Sequence, residues 1–345
     1  MQKPKINTTF RVIQLPLICR VYLNYRNSGT SSGPLGRLKS FLWGRLFRIM
    51  LRIPLTQRDG VMEVNVKGRI RRATFNGNNL QFRALYMPVY QSGYENATVS
   101  LVTALMQNET VLFDIGSNWG YFSICAAAAS GFHGSVYAFE PNPVAREDLV
   151  RILSQTGLDN VVTVQPFGLG SQASSRGISS ESLTHTGRTQ LTDDSDNVVK
   201  VEIKRLDDLV IPRPDIIKVD AEGMELEILK GALSLLKNCS PLLIFESWAD
   251  LRNPFETVPL FRFLESLDYE FYVPSLTFRS DQGIVDVQMD ETCTAMANAG
   301  QPGVLSLVKL EPRMRPLLQT HLNLVACHKT KIAVVKEHLH VFANI

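Results

Sequence analysis

Four acidic residues stand where a short apolar run ends. Asp114 follows Val111-Leu112-Phe113, Glu140 follows Val136-Tyr137-Ala138-Phe139, Asp220 follows Ile216-Ile217-Lys218-Val219, and Glu246 follows Leu242-Leu243-Ile244-Phe245. Apolar runs of this length read as buried strands. In an open parallel sheet, ligands bind beyond the carboxyl ends of the strands. One acid at such an end signifies little. Four on one edge are hard to place in a purely structural sheet, because buried charges need partners. Carboxylates there can accept hydrogen bonds from hydroxyls, at roughly 1.5–3 kcal/mol each, and can take the proton of an attacking group.

The first acid opens the turn Asp114-Ile115-Gly116-Ser117-Asn118-Trp119-Gly120, and a helical pattern follows. Glycines four apart let the backbone approach a nucleotide-like group closely. The turn is not the dinucleotide fingerprint, because bulky Tyr121-Phe122 occupies the region of the third glycine, so a pyrophosphate fits poorly. A cofactor without phosphates fits better. S-adenosylmethionine (SAM) carries a positive amine and sulfonium, which favour a nearby acid. Asp114, Gly116, Asn118 and Gly120 are therefore expected to hold SAM, with Glu140 accepting from its ribose hydroxyls.

By strand alternation Lys218 and Asp220 share a face. A lysine in an apolar strand must pair with an acid or serve a site. Asp220 should emerge where a transferable methyl lies, which makes it the first candidate for a catalytic base. Glu222 is the second, and Lys218 would orient both. Asp220, Glu222 and Glu225 would equally suit the positive end of the following helix. Glu246 is expected either to bind the acceptor or to make a loop hydrogen bond. The histidines show no metal-ligand spacing and no metal-binding residue is assigned; the many acids leave a divalent metal open, but nothing specifies one.

These residues need a scaffold. Expected strands lie at 111–115, 135–140, 161–165, 215–220, 241–246, 269–273 and 322–328, with helices near 119–130, 143–156, 223–237 and 257–267. That alternation predicts a doubly wound, mostly parallel α/β sheet. The polar segment 171–197 interrupts it as a solvated loop or a flap over the site, with His185 in it as an exposed loop residue or a base. Upstream, residues 1–34 read as an irregular basic lead ending in a Gly/Ser linker, and 61–88 as a β-hairpin. At 100° per residue, Arg37, Arg45, Arg48 and Arg52 of a helix at 35–53 fall within roughly 80° of arc, with Leu38, Leu42, Leu46, Ile49, Met50 and Ile53 spread over the opposite side. Two readings stand for this helix: packing of its apolar face on the domain, or peripheral contact with an anionic membrane. The expected domains are an extension at 1–90, a main domain at 91–330 and a tail at 331–345.

Bulk composition agrees with an ordinary globular chain of 345 residues, 45% hydrophobic and 20% charged. The net charge of +3 conceals an asymmetry: residues 1–75 carry fifteen Lys/Arg and two acids, so the remainder is acidic. The basic arm has no motif for reading nucleic acid, so no specific nucleic-acid partner is expected. The five cysteines are scattered without C-x-x-C spacing, so neither a disulfide framework nor a zinc site is expected. No apolar run approaches a membrane span, and a cytoplasmic location is expected.

The sequence resembles the FkbM-type methyltransferase family. The resemblance rests on Gly93-Tyr94-Glu95, Phe113 to Phe122, Val136 to Pro143, Arg205-Leu206-Asp207-Asp208-Leu209, and Ile217 to Glu225 running on to Leu229-Lys230-Gly231-Ala232. It covers roughly residues 93–250 and implies a seven-stranded, Rossmann-like class I SAM-dependent fold, with an antiparallel seventh strand at the sheet edge. It further implies O-methylation of a hydroxyl on a sugar, glycan or secondary metabolite. Ser117 replaces the usual alanine of the glycine turn. Pro166-Phe167-Gly168-Leu169-Gly170 stands where the family forms its adenine pocket, which puts Phe167 against the cofactor. The rival readings are an NAD-type oxidoreductase on a similar fold and an inactive, membrane-associated glycan- or protein-binding module.

Overall fold

The computed structural model describes residues 9–29, 34–52, 59–90, 93–179, 186, 191–192, 198–247, 255–280, 283–287, 303–318 and 322–340. The extension begins with β1 (Phe10–Gln14), which pairs with β2 (Asp59–Val66), itself in a hairpin with β3 (Arg69–Asn76). Between β1 and β2 lie two helices, α1 (Leu17–Gly29) and α2 (Pro34–Arg52). The lead is thus a strand and a helix rather than irregular chain. The ordering comes from tertiary contact, with Phe10 stacked on Tyr121 at 5.4 Å and edge-on to Trp119 at 5.5 Å.

The extension is not a separate body. Phe10, Ile18, Tyr22, Met62 and Phe75 share one buried cluster with Val102, Leu112 and Ile124 of the main domain. Its hairpin is also tied down by polar contacts. Thr74 N donates to Gln155 Oε1 (2.7 Å), and Asn79 Nδ2 donates to Asp148 Oδ2 (2.9 Å).

The main domain alternates as expected. It contains α3 (Asn96–Leu105), β4 (Val111–Ile115), α4 (Tyr121–Ala127), β5 (Ser135–Phe139), α5 (Pro143–Thr156) and β6 (Val162–Gln165). After a small side sheet come β11 (Ile216–Val219), α6 (Glu225–Lys230), α7 (Leu233–Cys239), β12 (Leu242–Ser247), α8 (Val258–Glu265) and β13 (Tyr269–Ser280). β14 (Gly283–Val287), β15 (Gly303–Leu310), β16 (Leu322–His328) and α9 (Ile332–His340) close the chain. The side sheet is built from β7 (Gly168–Leu169), β8 (Ser174–Ser179), β9 (Leu191–Thr192) and β10 (Val198–Lys204). Part of the polar segment 171–197 is therefore strand; His185 lies outside the described residues.

The strands run in the order β6-β5-β4-β11-β12-β16-β13, parallel except at β16 and its neighbours. In chain order of the core strands this is third, second, first, fourth, fifth, seventh, sixth, the class I arrangement. Two expectations are corrected. The seventh strand is not at the edge: β16 inserts between β12 and β13, antiparallel to both. The sheet also has nine strands rather than seven, because β14 and β15 add to opposite edges of the long β13.

Alternation along the strands sends Leu112, Val136, Ile216 and Ile244 into one apolar layer and Phe113, Ile217, Leu243 and Phe245 into the other. The first layer is covered by α3, α4, α5 and the extension, the second by α6, α7 and α8. Burial on both faces explains the near-continuous apolar runs. It also leaves only the strand ends for polar chemistry.

Candidate active site at the carboxyl edge of the sheet

A cavity of about 500 Å³ opens beyond the carboxyl ends of the central strands. Sites of a few hundred to a thousand Å³ suit nucleotide-sized ligands. Of the residues expected from sequence, Gly116, Asn118, Glu140, Lys218, Asp220, Glu222 and Glu246 line it.

The glycine turn forms its floor. Gly116 has φ +75°, and a Cβ there would collide with the backbone carbonyl of Asp220. Only glycine lets the β4 turn and the β11 loop approach this closely. The amides of Gly116 and Ser117 donate to Phe139 O at 3.0 and 3.1 Å, locking the turn to the end of β5. Asn118 is also left-handed, at φ +50°, a conformation asparagine tolerates. Its amide donates to Glu140 Oε2 at 2.7 Å.

Glu140 is buried and accepts a second amide, from Asn142, at 2.8 Å on Oε1. Burial pushes its carboxyl up to about 7, against the lowering effect of those two amides. Each oxygen keeps a further lone pair for a ligand hydroxyl.

Lys218 is buried opposite Asp114 in the β4–β11 register. Its ammonium donates to Asp220 Oδ2 at 3.2 Å, lies 3.8 Å from Asp114 Oδ1, and sits 4.4 Å over the Phe122 ring. Burial alone would lower its pKa, but the negative charges of Asp220, Asp114 and Glu95 outweigh that, and it ends raised. Lys218 is therefore a permanent cation at the site. Asp220 is partly exposed, at 33% of its side chain, and faces the cavity with one oxygen held by Lys218. Glu225 Oε1 accepts from the amides of Ala221 and Gly223 at 2.9 and 3.3 Å, fixing the loop that carries Glu222.

Three expected cofactor residues do not reach the cavity. Asp114 is wholly buried beneath it, where Oδ2 accepts from Ser123 N (3.1 Å) and Ser123 Oγ (2.6 Å). It anchors α4 and Lys218. Gly120, at φ +89°, is the N-terminal cap of α4, and a Cβ there would meet Leu149. Phe167 packs edge-on to Phe139 at 5.9 Å, beneath the Lys204 ammonium at 4.4 Å, and its neighbours Gly168 and Leu169 line the cavity in its place. In each case the residue type was legible, but the direction of the side chain depends on the layer into which the strand or turn directs it.

The cavity also recruits residues without an assigned role in the sequence. Gln81 and Arg83 come from the short 3₁₀ turn Leu80–Leu85 of the extension. Tyr94 comes from the chain before α3, and Thr186 from the polar segment. Thr186 donates its hydroxyl to Asn79 Oδ1 or Asn118 Oδ1, at 3.0 and 3.2 Å, tying that segment to both extension and glycine turn. Only Gly93-Tyr94-Glu95 carried a signal, as one piece of the resemblance.

The residues present fit SAM. Ser117 Oγ is buried at the cavity floor without a hydrogen-bond partner among the described residues, and the strand-end acids offer acceptors for hydroxyls and for positive charge.

Comparison with known proteins gives a consistent account. Residues 114–271 match the family model of the methyltransferase FkbM domain. The hexuronic acid methyltransferase AglP of Haloferax volcanii is 31% identical over 157 residues, covering 44% of this chain. The chain spans 61% of that curated relative's length. Among solved structures, the methyltransferase FkbM of Methylobacillus flagellatus is 20% identical, with a TM-score of 0.37 over 48% of this chain and 40% of that one. The precorrin-6y C5,15-methyltransferase of Geobacter metallireducens is 15% identical, with a TM-score of 0.36 over 68% of this chain and 88% of that one. The family match begins at Asp114, the acid that closes the first core strand, and ends at Phe271 in β13. Over residues 114–271 this chain is similar to the methyltransferase FkbM domain.

Proposed function

We propose that the protein is a SAM-dependent O-methyltransferase acting on a sugar or glycan hydroxyl, with a hexuronic acid as the leading acceptor class. The observation that carries the reading is the pairing of a ribose-competent buried carboxylate, Glu140, with the lysine-held carboxylate Asp220 in one cavity. The sugar acceptor is suggested by the Haloferax relative, a hexuronic acid methyltransferase.

SAM, when bound, supplies an electrophilic methyl group on a sulfonium. The chain's own residues have separate tasks. Glu140 accepts from the ribose hydroxyls, and the Gly116 turn admits the cofactor close to the backbone. Asp220 takes the proton that the acceptor hydroxyl loses, a role worth roughly 10²–10⁴ in rate. Lys218 fixes the orientation of Asp220. Glu222 and Glu246 hold acceptor hydroxyls, and Glu222 is the alternative base. Tyr94, whose pKa is raised first by the charge of Glu95 and then by burial, stays a neutral donor at the same wall.

The nicotinamide reading is disfavoured by the aromatic cluster in place of a third glycine: Tyr121 packs edge-on against Trp119 and Phe122. The location is read as cytoplasmic from the scattered cysteine spacing, which carries no disulfide framework. Calorimetry with SAM and with NAD tests the cofactor. Micromolar SAM binding without NAD binding is expected, and the reverse would overturn the reading. A labelled-methyl screen across uronic and neutral sugar acceptors tests the substrate class. Labelling of neutral sugars alone would exclude the uronic acid.

A further inference from the structure

The second helix of the extension presents two distinct faces. Gly44, Phe47 and Met50 are buried, with the Phe47 ring 5.1 Å from Tyr22 of α1. About 130° around the helix, by its geometry of 100° per residue, runs a second apolar stripe. Leu35, Leu38, Leu42, Leu46 and Ile49 lie on it, each 40–65% exposed, over the whole length of α2. Of the expected apolar face, Met50 packs on the protein with Phe47, whereas Leu38, Leu42, Leu46 and Ile49 do not. Arg37, Arg45 and Arg48 flank it on one side and Lys39 on the other, all exposed. Arg52 lies at the helix end, and its side chain is outside the described residues. Residues 1–58 contain eleven Lys/Arg and no Asp or Glu.

We propose that α2 docks on an anionic lipid bilayer. It lies in the plane of the interface, with Leu35, Leu38, Leu42, Leu46 and Ile49 in the acyl boundary and the flanking basic side chains among the headgroups. An exposed apolar stripe flanked by long basic side chains is the arrangement that favours this partner. Charge decides against the other occupants. A second copy of the chain would set arginines against arginines, with no acid in this segment to offset them. Crossing the membrane is not available to α2, because no helix among the described residues is long and apolar enough. The inference is independent of the methyl-transfer reading, since none of these residues lines the cavity.

Vesicle flotation of the full chain tests it, using phosphatidylcholine vesicles with and without 30% phosphatidylserine, where the composition is a choice of probe on the order of cellular anionic content. Binding is expected only with the anionic lipid, weakening as salt rises. The double variant Leu38→Glu and Leu42→Glu should bind roughly tenfold or more weakly. The triple variant Arg37→Ala, Arg45→Ala and Arg48→Ala should lose about fivefold per charge. Both sets of side chains are exposed, so an unchanged far-UV circular dichroism melt verifies the fold. Arg213→Ala, on the exposed loop before β11, should bind as the parent does. Equal binding to neutral and anionic vesicles, or no binding, would overturn the proposal. So would light scattering that shows a dimer dispersed by the leucine variant.

Discussion

Glu140 is the residue at which chemistry and pH meet. Its folded-state pKa of about 7 is raised from 4.5, first by burial. The charged form is therefore disfavoured in the free protein, and stability contributed at low pH is lost as pH rises from about 4.5 to about 7. Ligand binding runs the other way. The ionised carboxylate accepts both ribose hydroxyls, so SAM affinity should rise between pH 6 and 8 and then level off, by up to about tenfold per unit below the pKa. Calorimetry across that range checks it, and Glu140→Gln should flatten the profile. Glu140→Ala should weaken SAM binding on the order of tenfold to a hundredfold; an unchanged affinity would refute the ribose role. Asp220→Asn should leave SAM affinity nearly intact and lower kcat by roughly 10²–10⁴, because Lys218 still has Asp114 as an ionic partner.

Elements matter here mainly through their ends. The β4 turn and the β11 loop are held in contact by a position that admits no side chain. Gly116→Ala should destabilise the fold by roughly 1–3 kcal/mol through backbone strain alone, and thermal melts should show it before any activity is measured. The 3₁₀ turn Leu80–Leu85 depends on Asn79, whose Oδ1 accepts from Gln81 N at 3.0 Å and whose amide donates to Asp148. Asp148 is buried and pairs with Arg151. Asn79→Ala would remove the neutral donor from that carboxylate and free the turn bearing Gln81 and Arg83. A stability loss of about 1–3 kcal/mol, together with a raised KM for the acceptor, is expected from denaturant titration and steady-state kinetics.

At the scale of the whole molecule, the extension and the main domain share one core. Phe10 covers Trp119 and Tyr121, two residues of the glycine turn and the helix after it. β1 covers an edge of β2, and α1 buries Ile18 and Tyr22. Each such side chain is worth roughly 1.5–3 kcal/mol of burial, against a total stability of about 5–15 kcal/mol. Deletion of residues 1–58 should therefore abolish cooperative unfolding or lower the Tm steeply in a calorimetric scan. A truncated chain that melts like the parent would show the extension to be an appendage.

Much of this protein is local in origin, and that part is readable in the chain. The alternation of apolar runs and amphipathic helices gives the doubly wound sheet. The glycine turn and the strand-end acids lie next to the strands that position them, so Gly116, Asn118, Glu140, Asp220 and Glu246 were legible as one edge. The rest depends on which layer a side chain enters and on which distant segment packs beside it. Asp114 and Phe167 turn away from the cavity because their strand and turn direct them into buried layers. Arg83, Tyr94 and Thr186 reach it because packing carries their segments there across long stretches of chain. β16 takes an internal place in the sheet because hydrogen bonding to β12 and β13 satisfies both its edges. The spacing of residues along a chain encodes neither side-chain direction nor long-range pairing; the packed sheet decides both.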